Sequence, residues 1–123
     1  MSITNDLFEK ATSIIRQQPE ATDSRYSMAD TGGVELEVGE FLYGLVRLFK
    51  PLRILETGTY TGVSAMYIAQ GLKDSLGGLL TTLEYEEEHI RRAERLWKIS
   101  GVQGYVQAVK TDSLVWQPEE IFD

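Results

Sequence analysis

The feature that most restricts the fold of this chain is an alternation. Between Leu52 and Val109, three short apolar runs are separated by two stretches of helical periodicity. The run from Leu52 to Thr57, centred on Ile54 and Leu55, has the length and continuous apolar character of a buried strand. Ala65, Met66, Ile68, Ala69 and Leu72 then mark a helix. Gly77 and Gly78 interrupt the chain before a second strand, Leu79 to Glu84. Ile90, Ala93, Leu96 and Trp97 recur at helical spacing within Glu86 to Ser100, with Gly101 as the stop. Tyr105 to Val109 is the third strand. Strands joined through helices pair in parallel with right-handed crossovers. The fold class is therefore α/β, with a Rossmann-like core of three parallel strands.

Two helices precede this unit. Leu7, Ala11, Ile14 and Ile15 place one from about Thr4 to Gln18, and Pro19 follows it. Glu20 to Gly33 is polar and reads as a loop. A second helix, from about Glu35 to Phe49, carries Val38, Phe41, Leu42, Leu45, Val46 and Phe49 as its apolar stripe, and Pro51 ends it. The chain thus divides into an N-terminal helix and loop, residues 1–34, and a partial Rossmann-like domain, residues 35–123.

Charge and composition narrow the functional classes. A formal net charge of −7 repels phosphate backbones and argues against general nucleic-acid binding. Arg91, Arg92, Arg95 and Lys98 cluster, but on one helix, where a solvated face is the expectation. The absence of cysteine excludes disulfides, zinc–thiolate sites and cysteine nucleophiles. No apolar run approaches the roughly 20 residues of a membrane span, and the polar start lacks the character of a secretory signal. A cytoplasmic location is the expectation.

The chemistry gathers at Ile54-Leu55-Glu56-Thr57-Gly58-Thr59-Tyr60-Thr61-Gly62-Val63-Ser64. A strand ending in a carboxylate enters a turn with two glycines and then a helix. The helix start offers unpaired N–H groups and a positive dipole end, suited to a carboxylate or phosphate, to which Ser64 can add a hydroxyl. Glu84 closes the second strand, where an acid in doubly wound folds accepts ribose hydroxyls. Asp112 lies just past the third. All three ends face the crevice where open α/β sheets bind ligands. The spacing Gly-x-x-x-Gly is not the dinucleotide fingerprint, and Glu56 would repel a pyrophosphate. These features argue against a nicotinamide-linked oxidoreductase. A ligand with a cationic end fits better, and the amino group and sulfonium of S-adenosylmethionine supply one.

The stretch from Arg53 to Ser113 resembles the cofactor region of the class I S-adenosylmethionine-dependent O-methyltransferases of the catechol/caffeoyl-CoA type. Val38-Gly39-Glu40-Phe41-Leu42 is similar to the helix start that precedes the first strand in that family. The resemblance implies S-adenosyl-L-methionine as cofactor and a small-molecule hydroxyl as methyl acceptor. It implies Glu56 near the methionine amino group, with Gly58, Tyr60 and Gly62 shaping the turn and Ser64 at the carboxylate. Glu84 would hold the ribose, Tyr85 would pack on the adenine, and Asp112 and Ser113 would line the adenine edge. Val34 would lie near the methyl group.

Plainer readings stand beside these. Glu56 could pair with an arginine, Glu84 could belong to the acidic run Glu86-Glu87-Glu88, and Asp112 could cap a turn before Leu114. Tyr60 and Tyr85 could be packing aromatics, as Met28 and Met66 are expected to be. His89 is expected at the surface.

The resemblance also implies a larger sheet, in which a fourth strand flanks the first and carries an acidic metal ligand in metal-dependent members. A divalent metal is therefore expected only with sequence beyond Asp123, and no metal ligand or catalytic base is assigned here. The first strand is left with an open edge. The chain is accordingly expected to be a fragment of a longer product or to pair with another chain, as in a homodimer. A non-catalytic Rossmann-like binding or interaction module is the alternative to an enzyme.

Overall fold

A computed structural model describes Glu9 and residues 36–123. Glu9 is helical; the rest of the helix expected at Thr4 to Gln18, the loop after it, Met28, Val34 and the 34/35 boundary lie outside the described residues.

The element order is α1 (Leu36–Phe49), β1 (Arg53–Thr57), α2 (Val63–Lys73), β2 (Leu79–Glu84), α3 (Glu87–Ser100), a short 3-10 turn (Gln103–Tyr105) and β3 (Val106–Lys110). The strands form one parallel sheet in the order β1-β2-β3. The expected alternation, and with it the parallel pairing, is present. In the register Glu56 lies opposite Thr82 and Thr57 opposite Leu83, while Glu84 lies opposite Lys110.

Burial follows position in the sheet. The central strand β2 is covered on both faces, with Leu80, Thr81, Thr82 and Leu83 all buried. β1 was expected to be a buried strand; instead its residues alternate between exposed and half-buried, and Leu55 is 37% exposed. The reason is its place at the edge: among the described residues no strand lies on its other side. β3 starts at Val106 and not at Tyr105, because Tyr105 N–H bonds back to Val102 O and closes the 3-10 turn.

The core sits between the sheet and the helices. Nine residues of α2, from Val63 to Leu72, are buried, because the helix is packed among α1, α3 and β2. Met66, Tyr67 and Leu72 of α2 join Leu96 and Trp97 of α3 and Leu80 of β2 in one cluster, and Met66 is a packing residue as expected. α1 turns only part of the predicted stripe inward. Leu42, Tyr43 and Val46 contact the core, whereas Val38, Phe41 and Phe49 are exposed. Gly39 and Gly71 set this rotation: a Cβ on Gly39 would lie 2.5 Å from the Tyr67 ring, and one on Gly71 would lie 2.8 Å from Val46 Cβ. The two helices meet where side chains are absent.

α3 ends at Gly101, with bonds to the carbonyls of Lys98 and Trp97. Glu87 and Glu88 occupy its first turn, where carboxylates complement the helix dipole. Arg91, Arg95 and Lys98 are solvated as expected. Arg92 departs from that pattern: its side chain is only 11% exposed and lies against Glu88. After β3 the chain crosses the other face of the sheet and reaches the start of β1. There Asp123 N–H bonds to Arg53 O at 2.8 Å, and its carboxylate accepts from Leu52 N and Arg53 N.

Candidate functional site

The turn between β1 and α2 is built on β2. Gly58 N and Thr59 N both donate to Leu83 O, at 2.8 and 3.2 Å. The turn then closes on itself through Gly62 N to Thr59 O. Gly58 (φ 79°), Tyr60 (φ 49°) and Gly62 (φ 83°) all adopt left-handed backbone, which glycine accepts without the cost of a Cβ. Gly62 also lies against α3. A Cβ there would come within 2.6 Å of Ala93 Cβ and 2.8 Å of Trp97 Nε1, and that indole N–H donates to Gly62 O at 2.9 Å.

Glu56 was expected near the methionine amino group and Ser64 at its carboxylate, yet here the two bond to each other. Ser64 Oγ donates to Glu56 Oε2 at 2.6 Å, and Thr82 Oγ1 donates to Oε1 at 2.7 Å. Among the described residues no arginine joins this clasp. Burial pushes the Glu56 carboxyl above its ordinary range, and the two hydroxyl donors offset this only in part. Thr82 was not anticipated as a site residue. A hydroxyl in the middle of a buried strand is the signal that pointed to it.

Glu84 is held differently. Its Oε2 accepts from Tyr60 N at 2.8 Å; its Oε1 accepts from Tyr85 N and Glu86 N at 2.9 and 3.0 Å. Burial opposes ionisation, but the amides of Glu86 and Tyr60, with His89 beside them, hold the carboxyl below its usual range. Glu84 is therefore not a member of the solvated acidic run. His89 is not the plain surface residue expected either. Its ring meets the Tyr60 ring edge-on at 4.7 Å, and its Nδ1 lies 3.5 Å from Glu84 Oε1.

The third strand end adds Asp112. Its Oδ1 accepts from Leu114 N at 2.8 Å, so it does cap the turn that follows. It also faces the crevice. Gly58, Leu83, Glu84, Tyr85, Thr111, Asp112 and Ser113 line one open depression of about 340 Å³. The structure thus gathers Gly58, Glu84, Tyr85, Asp112 and Ser113 into one concavity. Tyr60 and Gly62 stand in the adjoining turn, and Glu56 and Ser64 beneath it. Tyr85 is 69% exposed and is free of the core. A larger depression of about 690 Å³ lies between α3 and the open edge of β3; it contains none of the strand-end acids. Among the described residues no group of three or more acidic or histidine side chains is placed to hold a metal, and no helix is long and apolar enough to cross a membrane.

A parallel sheet with acids at successive carboxyl ends and a glycine turn entering a helix defines a Rossmann-like nucleotide-cofactor unit. The chain matches the O-methyltransferase family over residues 6–119 and belongs to that family. It is similar to an O-methyltransferase, TomG of Streptomyces achromogenes, solved in complex with SAM. That likeness has 27% identity over 88% of this chain and 44% of the other, with a TM-score of 0.67. A Podospora anserina methyltransferase bound to SAH is 26% identical, with 100% and 48% covered and a TM-score of 0.74. A protein of Mycolicibacterium smegmatis assigned by name to the O-methyltransferases is 38% identical over 71 residues, 58% of this chain and 33% of the relative. The chain spans about a third of the curated relatives and just under half of the solved structures that it matches.

Proposed function

We propose that this chain forms the S-adenosyl-L-methionine-binding part of an O-methyltransferase whose acceptor is a small-molecule hydroxyl. The observation that carries the reading is the depression at the carboxyl edge, where Glu84, Tyr85, Asp112 and Ser113 converge beside the Gly58 turn. A carboxylate kept ionised at the end of β2 suits a vicinal pair of ribose hydroxyls, since it accepts and never donates. Tyr85 offers an exposed ring to an adenine face, and Asp112 and Ser113 offer polar groups to its edge. Glu56, supported by Ser64 and Thr82, provides negative charge on the side of the turn where an amino group would lie. When bound, the cofactor supplies an electrophilic methyl group on sulfonium. The described residues bind and orient; none is assigned as the base that takes the acceptor's proton. Val34 is assigned to the methyl-group side.

The open edge of β1, with Leu52 and Leu55 exposed, supports pairing with further chain or with a second copy. A homodimer in the cytoplasm is the reading adopted. The SAM- and SAH-bound relatives favour an enzyme over a non-catalytic interaction module.

Isothermal titration with S-adenosylhomocysteine tests the central claim. Saturable heat at micromolar ligand is expected, and its loss in Glu84→Ala. No heat at high micromolar ligand would overturn the proposal.

A further inference from the structure

His89 stands in an unusual position. Among the described residues its Nδ1 is buried without a hydrogen-bond partner, yet it faces Glu84 Oε1 from 3.5 Å, just beyond bonding reach. The same ring lies edge-on to Tyr60 at 4.7 Å, and Tyr60 N donates to the other oxygen of the same carboxylate. One imidazole therefore touches both sides of the contact that fixes Glu84. Three backbone amides already occupy Glu84, and a carboxylate offers about four acceptor sites. Oε1 carries two of these amides and Oε2 one, so a vicinal pair of ribose hydroxyls needs one site more than is free; drawing an amide off Oε1 leaves that oxygen open to the idle Nδ1 beside it.

We infer that His89 is a positioning residue for the ribose-binding carboxylate: its ring seats the Tyr60 turn, and its Nδ1–H takes up Glu84 when ribose hydroxyls engage it. The inference rests on the cofactor reading above and adds to it a residue that acts through Glu84 without touching the ligand. His89→Phe keeps a ring against Tyr60 and removes the donor. His89→Asn restores a donor near the place of Nδ1.

The test is a calorimetric comparison of S-adenosylhomocysteine with its 2′,3′-dideoxy analogue, on wild type and both variants, with melting curves as the check on folding. His89→Phe is expected to weaken S-adenosylhomocysteine roughly tenfold, as for a lost bond to a charged group, and to leave the dideoxy analogue within about twofold. His89→Asn is expected to recover most of the loss. Equal weakening of both ligands, or none of either, would overturn the role. Wild type that binds neither ligand would instead sink the cofactor reading beneath it. Proton NMR of wild type supplies a readout that needs no variant: the His89 Nδ1–H signal is expected to move downfield on adding S-adenosylhomocysteine, and an unmoved signal alongside measurable binding counts against the inference.

Discussion

Replacing Gly62 by alanine separates two costs that the structure assigns to different glycines of the same turn. At φ 83° a Cβ is strained whatever surrounds it, a penalty of about 1–2 kcal/mol for left-handed backbone. At Gly62 that Cβ would also meet Ala93 Cβ at 2.6 Å, Trp97 Nε1 at 2.8 Å and Ala93 Cα at 2.9 Å. Two of these atoms belong to a buried alanine that cannot rotate away. Forcing an extra methyl into such a contact costs about 1–3 kcal/mol more. The sum, about 2–5 kcal/mol, is a large share of the ~5–15 kcal/mol that holds an ordinary domain together. Gly58 supplies the control. Its φ of 79° is nearly the same, but a Cβ there has nothing within 4 Å, so Gly58→Ala carries only the backbone cost of about 1–2 kcal/mol. Urea denaturation followed by circular dichroism measures both, and Gly62→Ala is expected to melt on the order of 10 °C below wild type. If the two variants lose the same stability, the packing of the turn against α3 is not what the distances imply.

The two strand-end glutamates give opposite pH responses. Glu56 is raised from 4.5, so its favourable contribution is full below that value and is lost as pH rises through the raised folded value. Glu84 is lowered from 4.5, so its contribution is present above that value and is lost as pH falls through the lowered one. Urea midpoints against pH for Glu56→Gln and Glu84→Gln should therefore diverge from wild type in opposite directions; parallel curves would refute the assignment. Trp97→Phe removes the indole donor from Gly62 O, which keeps its bond from Met66 N, and the lost hydrogen bond should cost about 0.5–1.5 kcal/mol by the same assay. Thr82→Val removes one of the two hydroxyls on Glu56; a carbon-13 titration of that carboxyl should then show it raised further, and an unchanged midpoint would contradict the clasp. Asp123→Ala should speed amide exchange at Leu52 and Arg53, whose N–H groups its carboxylate accepts; unchanged exchange would show that those contacts do not persist in solution.

What the sequence made legible followed from periodicity and from strand ends. The alternation from Leu52 to Val109 specified the parallel sheet, because short apolar runs separated by stretches of helical period leave room only for strands joined through helices. The strand-end acids were legible for the same reason: wherever a parallel strand stops, its last residue belongs to the crevice. The facing of α1 was not legible. Leu36–Phe49 has apolar residues on more than one side, and the face that turned inward was chosen by the contact of Gly39 with Tyr67, a residue on another helix. Nor did the sequence show what the carboxylates bond. Thr82 and Tyr60 come to Glu56 and Glu84 across 26 and 24 positions of chain. His89 was misread because an acidic first turn looks solvated on all sides, whereas the side facing Tyr60 is closed.

Together these contacts make the site a consequence of strand register. Thr82, Leu83 and Glu84 are consecutive on β2, and each holds a different part of the preceding connection. The Thr82 hydroxyl bonds to Glu56 and contacts the Thr59 hydroxyl. The Leu83 carbonyl accepts from Gly58 and Thr59. The Glu84 carboxylate accepts from Tyr60. Side chains two apart on a strand share a face, and the residue between them turns its own side chain the other way. Thr82 and Glu84 can therefore reach the turn only with Glu56 opposite Thr82. A slip of one residue would carry both to the other face of the sheet and put Leu83 against the glycine turn. The part of the chain proposed to meet the cofactor lies between β1 and α2, but its shape is set by the strand that comes after it.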